Sequence, residues 1–472
     1  MDWKIIFRSL KNKDMLKRVL AVLLIIIVFR LMSNIPVPLA EPRSLHSILE
    51  STLSSSQFGG FLNMLSGGAL ASFSIMLVGL SPYITASIIT QLLSKAIPKL
   101  EELNNDGESG RRKINQWTRI LTLPLAIIQS IAYVFILRQT VLQGEVLADM
   151  DIFQWVIAIV AMAAGSIILM WLGEIITEKG VGNGISLLIF AGIISQLPTT
   201  LGGMIYGLTS FEDGQALNVF NWFTLPINAE MAYIVLAVGV ISLLVLYFLV
   251  KINEAQRIVT INYAKRVRGN TAYSGVKSIL PIKMITAGVI PVIFAVAFLS
   301  LPAFVGQLLV ASGNPDFKAL GDNLVLWFQS PNAASIVAYG MFDWTSLIYP
   351  IAYFLLVILF TYFYTSIVFN AHEIAENLQK QGGFIEGVRP GKQTEDYLKR
   401  TVNRLTLFGA IALGFIAILP FAFEYGFAFL GYSGINLAIG GTGLLIVVSV
   451  ALESLRQVNS RALMVTYDDF DV

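Results

Sequence analysis

The sequence contains no cysteine, only two histidines and few charged residues. Without cysteine, a disulfide scaffold, a thiolate metal site and a cysteine nucleophile are excluded. The two histidines, His46 and His372, cannot form an imidazole cluster around a metal ion. Only 13% of the 472 residues are charged, against about 25% in a typical soluble domain. The net charge of +2 gives no indication of nucleic-acid binding over the whole chain.

Apolar residues make up 56% of the chain, which excludes the disordered class and favours a membrane protein with several spans. A bilayer core of ~30 Å requires about 20 apolar helical residues for each crossing. Met231–Val250 has no charge and no proline, and Ser346–Asn370 is a second long apolar stretch. We therefore predict an all-α polytopic protein with ten spans. The other eight begin near Val19, Ser74, Arg119, Ile152, Val181, Lys283, Leu405 and Phe427.

Lys and Arg residues are distributed unevenly beside these spans. If the N-terminus lies in the cytoplasm, only Arg30, Arg43, Arg138 and Lys318 of the 32 basic residues lie outside, which leaves 28 on the cytoplasmic side. Because basic residues are retained on the cytoplasmic side of membranes, both termini are predicted to be cytoplasmic. The first apolar stretch continues to Ile35 without a convincing cleavage site, so we interpret it as a retained span.

Ionisable residues are nearly absent from the predicted spans. Arg30 lies near the outer end of the first span and Glu174 at the cytoplasmic end of the fourth, where long side chains reach the interface. The other nine spans have no carboxylate, Lys or His near the midplane, which argues against a proton-driven or sodium-driven carrier. The sequence also has no P-loop, HExxH or GxSxG pattern, so we expect no enzyme activity.

Three segments outside the spans have unusual compositions. Gly59–Ala71 is apolar but too short to cross, so it is either a re-entrant half-helix or a helix on the outer surface. Two cytoplasmic loops, Lys251–Pro281 and Ala371–Arg404, are long enough to be functional or disordered. Within the first loop, Asn262–Asn270 concentrates basic residues and an aromatic residue. This pattern suits docking of a cytoplasmic partner or ribosomal RNA, although retention of basic charge on the inner side explains part of it.

Eight stretches in consistent order resemble the SecY family, the central subunits of the bacterial Sec protein-conducting channel. These stretches are LSGGALASFSI at Leu65–Ile75, PYITASIITQLL at Pro82–Leu93, GESGRRKINQWTR at Gly107–Arg119, WLGEIITEKGVGNGISLLIFAGI at Trp171–Ile193, INYAKR at Ile261–Arg266, AGVIPVIFA at Ala287–Ala295, FIEGVRPGKQTEDYL at Phe384–Leu398 and GGTGLLIVVSVAL at Gly440–Leu452. The resemblance implies two inverted pseudo-symmetric halves, at 1–203 and 229–472, joined by an extracytoplasmic hinge loop at 204–228. We find no clear sequence repeat between the halves, so their symmetry rests on the resemblance.

The resemblance also assigns roles to residues of this chain. It implies a hydrophobic pore ring formed by Leu80, Ile84, Ile189, Ile193, Ile293 and Ile446. It implies a re-entrant plug helix at 59–73 that includes Phe61, Leu62, Asn63, Met64, Leu65, Ser66, Gly67 and Gly68. A lateral gate between spans two to three and seven to eight would involve Thr85, Ser87, Gln91, Ile285 and Thr286. Contacts with the motor ATPase SecA and the ribosome would be made by Lys265, Arg266, Arg268 and Arg389.

Three positions depart from the family pattern. Leu80 replaces the usual Ile, which conserves volume and should preserve the seal. Gly443 stands where Ser usually ends the GGTG motif. Ile285 stands where the family commonly has Asn. Because a gate without that amide lacks a buried polar contact, we expect a lower threshold for opening or a shifted hydrophobicity requirement for signal sequences.

The resemblance implies a passive channel in the bacterial cytoplasmic membrane with no cofactor. Unfolded secretory proteins would cross through it, and membrane segments would leave it sideways into the lipid. The implied partners are SecE, SecG, SecA, the ribosome with its rRNA, preproteins that carry signal sequences, and membrane lipids. A secondary transporter with inverted repeats is the alternative, but it requires a midplane substrate site that the sequence does not show. A scaffold or lipid scramblase is a third possibility, and it would not require such basic cytoplasmic loops.

Overall fold

A computed structural model describes most of the chain. The described residues are 13–37, 74–141, 152–209, 216–219, 223–263, 267–268, 271–272, 277–312, 314–328, 330–331, 336, 344–429 and 441–468. The predicted plug at 59–73 lies outside these residues, as do Lys265 and Arg266.

Helices dominate the described residues. They are α1 (Lys13–Met32), α2 (Ser81–Ala96), α3 (Pro98–Asn105), α4 (Glu108–Val141), α5 (Ile152–Lys179), α6 (Gly184–Thr209), α7 (Ala229–Glu254), α8 (Ile290–Ala311), α9 (Pro315–Phe328), α10 (Trp344–Val368), α11 (Ala371–Lys380), α12 (Lys392–Phe429) and α13 (Gly441–Asp468). The strands are β1 (Ala216–Val219), β2 (Phe223–Asn228), β3 (Gln256–Tyr263), β4 (Val267–Arg268), β5 (Thr271–Ala272), β6 (Lys277–Lys283) and β7 (Gly383–Ile385). Within the described residues, seven helical segments are long and apolar enough to cross a membrane. The prediction of an all-α polytopic membrane protein is confirmed, whereas the count of ten spans stays a prediction.

Three predicted span starts are wrong, although the predicted start at Ile152 coincides with that of α5. Ser74 lies before α2, which begins only at Ser81. Lys283 ends strand β6, where it pairs with Gln256, and α8 begins only at Ile290. Phe427 lies near the end of α12. Hydropathy cannot separate an apolar strand from the helix that follows it, because both contribute apolar residues to the same sequence window.

The two segments that were predicted as long cytoplasmic loops contain regular structure, and most of their residues form one folded unit. Strand β3 pairs antiparallel with β6 on one side and with β7 on the other, with Ile261 opposite Ile385. Ile385 also packs with Leu398 and Val402 of α12 in a small hydrophobic core. We call β3, β6, β7, α11 and the first three turns of α12 the sheet unit. It joins the two predicted loops, which are separated by 89 residues of sequence.

The predicted hinge loop at 204–228 is partly regular structure. Helix α6 continues to Thr209, and β1 and β2 pair as an antiparallel hairpin that leads directly into α7. Part of the predicted hinge loop is thus helix or strand. The boundaries of the predicted halves stay a prediction.

The long helices pack around one continuous hydrophobic core. Helices α1, α2, α4, α5 and α6 contact one another, and so do α8, α10, α12 and α13. Helix α8 crosses between these groups because it contacts both α2 and α4. On this boundary the rings of Tyr133 in α4 and Phe304 in α8 lie with centroids 5.4 Å apart.

Helices α5 and α6 meet at a close approach of two glycines. A Cβ atom at Gly184 would lie 1.8 Å from the carbonyl oxygen of Gly173. The hydroxyl of Thr177 donates to that same carbonyl at 2.9 Å and accepts from the Gly184 N–H at 2.9 Å. Asn183 Oδ1 accepts from the N–H groups of the first turn of α6, which fixes where this helix begins. The start of α6 is therefore held against α5 by shape and by hydrogen bonds.

We expect Gly184→Ala to destabilise the protein by more than about 2 kcal/mol, because the methyl group would overlap backbone atoms that cannot move aside. The measurement is the thermal unfolding midpoint of the purified protein in detergent. Gly202→Ala is the matched control, since it lies in the same helix with no atom within 4 Å of its Cβ position. Equal unfolding midpoints for the two variants would contradict this account of the α5–α6 packing.

Candidate functional site

Six aliphatic side chains from four helices are buried in the main hydrophobic core. Helices α2 and α6 each supply two residues one turn apart, Leu80 being the residue just before α2, while α8 and α13 supply one each. Each side chain is at most 6% exposed, and all six belong to the main core. They are the residues that the resemblance assigns to a pore ring, namely Leu80, Ile84, Ile189, Ile193, Ile293 and Ile446.

We call these six residues the constriction, after the role that the resemblance implies for them. Because all six side chains are buried, none lines an open aqueous passage in this structure. No Asp, Glu, Lys or Arg is buried among the residues that the structure describes. Branched aliphatic groups offer ions no ligand and exclude water when they close a narrow passage. The arrangement can thus block ions and can part around a passing chain without specific contacts.

Helices α2 and α8, which belong to different helix groups, begin with the same sequence pattern. GLSPYI at Gly79–Ile84 leads into α2, and GVIPVI at Gly288–Ile293 leads into α8. The two glycines have φ of 61° and 64°. The residues that follow have φ of −87° and −90° with ψ of −2° and −12°. Only glycine adopts this left-handed conformation without strain, and proline is favoured in the first helical turn, so the shared sequence explains the shared geometry.

This repeat places Ile84 and Ile293 at equivalent positions, and the sequence analysis missed it. The signal was present as the pattern G-x-x-P-x-I in spans two and seven. Six residues with three identities are too few to identify a repeat without the matching backbone conformations.

The predicted gate residues of α2 are polar; Thr85 is buried, whereas Ser87 and Gln91 are half-buried. Thr85 is 6% exposed. Gln91 Nε2 donates to the hydroxyl of Ser87 at 3.0 Å. Gln91 Oε1 is buried and has no hydrogen-bond partner among the described residues. A buried amide oxygen without a partner destabilises its surroundings, so this part of α2 gains a hydrogen bond if a donor approaches it.

The predicted gate residues before α8 lie in the turn between β6 and this helix. Ile285 is 6% exposed and packs in the main core beside Gly409 of α12. The hydroxyl of Thr286 donates to the carbonyl of Lys283 at 3.2 Å. An isoleucine suits this apolar position, where an amide would require its own hydrogen-bond partners.

The sheet unit presents Arg389 at the tip of a tight turn between β7 and α12. The turn is ordered because Gly387 and Gly391 adopt φ of 79° and 97° and because the hydroxyl of Thr394 donates to the Arg389 carbonyl at 2.9 Å. The Arg389 side chain is exposed. Of the other predicted contact residues, only the backbone of Arg268 in β4 is described. The structure thus fixes the backbone of Arg389 and leaves its guanidinium accessible.

Near this turn, His372 at the start of α11 pairs with Glu395 in the first turn of α12. His372 Nδ1 lies 2.9 Å from Glu395 Oε2. This hydrogen bond and the negative charge of Glu395 raise the pKa of His372, to which Glu376 contributes. The pair links the two helices that flank the Arg389 turn.

We expect the stabilisation from this pair to be present below about pH 6.5, the ordinary pKa of histidine. It is lost as the pH rises through the raised pKa of His372, because the neutral imidazole loses the ionic interaction. An NMR titration with labelled histidine should give a lower His372 pKa in Glu395→Gln than in the wild type. Since the chain has only two histidines, His46→Gln identifies the signal. An unchanged His372 pKa in Glu395→Gln would contradict the pairing.

The fold and the buried aliphatic residues define a helical membrane protein with several spans. The family model described as SecY matches residues 74–455. Three curated relatives are each called protein translocase subunit SecY. The one from Streptomyces galbus is 36% identical over 469 residues, and those from Mycobacterium tuberculosis and Corynebacterium glutamicum are 37% and 38% identical over 470, with 98% of each chain covered. The chain belongs to the SecY family.

Solved structures agree with this fold. A structure of a protein-conducting channel aligns with a TM-score of 0.59 at 21% identity, covering 93% of this chain and 90% of that one. Sec61 in the canine ribosome-channel complex aligns with a TM-score of 0.53 at 20% identity over the same shares. The similar proteins are channel subunits of a translocase and not catalytic enzymes.

Proposed function

We propose that this chain is the channel subunit of a Sec translocase in the bacterial cytoplasmic membrane. Unfolded secretory proteins pass through it, and apolar segments of membrane proteins leave it sideways into the lipid. The observation that carries this proposal is the set of six buried aliphatic side chains at α2, α6, α8 and α13. Membership of the SecY family supports it independently.

The constriction has the chemistry that an unselective polypeptide pore requires. A translocating chain presents every kind of side chain, so specific polar contacts in the wall would retain some sequences and reject others. An aliphatic ring contacts each of them weakly, and it excludes ions when it closes. The predicted plug at 59–73 is proposed to add a second seal on the extracytoplasmic side.

The lateral gate is proposed to lie where α8 meets α2 and α4. These contacts join the two helix groups, and the ring pair of Tyr133 and Phe304 is part of them. Separation of the groups here would connect the passage with the lipid. Gln91 has an unsatisfied oxygen in α2 that a passing segment could reach, and Ile285 replaces the usual amide before α8.

The sheet unit is proposed to face the cytoplasm and to bind the partners that drive transport. Basic residues dominate this side of the membrane by the positive-inside distribution. We assign Lys265, Arg266, Arg268 and Arg389 to contacts with SecA and with ribosomal proteins and rRNA, because cationic tips attract acidic partners over long distances. SecE and SecG are proposed as small partner subunits, and both termini of this chain are proposed to be cytoplasmic.

The alternative of a coupled secondary transporter is not favoured. Such carriers require ionisable groups near the midplane to bind the driving ion. The helices that the structure describes bury no charged side chain, and the constriction is aliphatic throughout.

The direct test reconstitutes the chain with SecE and SecG in liposomes and adds SecA, ATP and a preprotein with a signal sequence. We expect ATP-dependent protection of the preprotein from external protease. Liposomes without this chain, and reactions without ATP, should give no protection. Absence of ATP-dependent protection in the complete system would refute the channel function.

A further inference from the structure

Ser166 lies in the middle of α5 and contacts the turn that leads into the constriction. It is 0% exposed, and its hydroxyl donates to the carbonyl of Gly79 at 2.8 Å, across 87 residues of sequence. We propose that Ser166 is a positioning residue for the constriction. It holds the turn at Gly79 so that Leu80 and Ile84 project into the closed ring. This inference rests on the proposed function, which gives the ring its role as a seal.

The Gly79 carbonyl depends on an external donor. At the start of α2, the Leu80 carbonyl accepts a hydrogen bond from the Ile84 N–H at 3.0 Å. The carbonyl of Gly79 lies one residue earlier and accepts from Ser166. A buried carbonyl at membrane depth without a partner is strongly unfavourable. Because Gly79 has a left-handed conformation, its carbonyl points away from α2. Ser166 supplies the hydrogen bond that this carbonyl needs.

The segment that leads to this turn is also fixed at its start, at Ser74 and Ile75. A Cβ atom at Gly165 would lie 2.2 Å from the Ile75 carbonyl oxygen, so α5 touches the backbone there directly. On the opposite side, the hydroxyl of Ser74 donates to the Met32 carbonyl at 3.0 Å, and the Ile75 N–H donates to the Ile35 carbonyl at 3.0 Å. Residues 74–80 are thus held between the end of α1 and the middle of α5. The position of Leu80 is set by these contacts, since it is the last residue of the held segment.

The matching turn before α8 is held differently. Beside Gly288, the side-chain atom nearest the Cβ position is Oε2 of Glu453, at 3.6 Å. A carboxylate cannot donate to a carbonyl, and no side chain among the described residues donates a hydrogen bond to the carbonyl of Gly288. The hydrogen bond from Ser166 therefore distinguishes the fixed side of the constriction, α2, from α8, although the two helices begin with the same sequence pattern.

The test measures ion leak through the resting channel in liposomes that contain this chain with SecE and SecG, without SecA or preprotein. Ser166→Ala removes the donor and leaves the Gly79 carbonyl without a partner. We expect the leak to rise about three- to tenfold, which corresponds to the loss of one buried hydrogen bond from the closed state. Translocation of a preprotein with a weakened signal sequence should rise by a similar factor. Ser166→Thr keeps the hydroxyl and should restore wild-type behaviour.

Ser130→Ala is the matched control. Ser130 is also 0% exposed, but its hydroxyl donates to the Ala126 carbonyl one turn earlier in α4, at 2.7 Å, and so holds no other segment. Its leak should stay at the wild-type level. A wild-type leak in Ser166→Ala, or an equal rise in Ser130→Ala, would overturn the proposal, and this comparison stands even if the methyl group of threonine does not fit. Because the leak is measured without SecA, failure of wild-type translocation would refute the proposed function alone.

Discussion

We expect Arg389→Glu to reduce SecA-driven translocation about a hundredfold, while the chain still folds and inserts into the membrane. Arg389 stands exposed at the tip of a turn whose backbone is fixed by two glycines and by the hydrogen bond from Thr394. Its guanidinium makes no contribution to the core of the sheet unit, which is formed by Ile385, Leu398 and their neighbours. Reversal of its charge therefore acts on the partner and not on the fold, because a glutamate facing an acidic partner surface is repelled.

The measurement is ATP-dependent protection of a preprotein in liposomes, together with the amount of SecA bound. Lys399→Glu is the control, since it makes the same change of charge on an exposed residue of α12 outside the turn. We expect this variant to keep most of its activity. If Lys399→Glu lost as much activity as Arg389→Glu, a general electrostatic attraction would explain both results and Arg389 would have no special role. Thermal unfolding midpoints should be alike in both variants and the wild type.

We expect Ile293→Asn to make the resting channel leak ions about ten- to a hundredfold faster than the wild type. Ile293 is 6% exposed in the constriction and lies in the first turn of α8. An amide buried there without partners costs about 1–3 kcal/mol in the closed state, and water relieves this cost when the passage opens. The population of open channels rises accordingly, and preproteins with weak signal sequences should also pass more readily.

Two control variants separate the seal from general effects of the substitution. Ile293→Val keeps the position aliphatic and should leak at the wild-type level, since the loss of one methylene changes volume little. Ile128→Asn places the same amide on an exposed face of α4, away from the constriction, and should not raise the leak. A tight seal in Ile293→Asn would remove Ile293 from the pore ring.

Much of the fold could be predicted from composition and charge. The membrane class follows from the low charge content, and Met231–Val250 was predicted almost to its ends within α7. The six residues of the constriction were assigned from family motifs, and the structure buries all six in the main core; their role as a pore ring stays a prediction. The sheet unit was missed. Its small core joins β3 and β6 of one predicted loop to β7 and α12 of the other, so neither loop by itself contains the residues that complete the core.

The sequence by itself determined the membrane class of the protein and favoured one orientation, because the bilayer selects for apolar length and for the distribution of basic residues. The tertiary structure decided which distant residues meet. Ile261 pairs with Ile385, and Ser166 binds Gly79, across sequence separations that no local pattern encodes. The repeated helix start shows the same division. Glycine and proline fix its backbone locally, but only the packing of α5 decides that the start of α2 is held by a hydroxyl and the start of α8 is not.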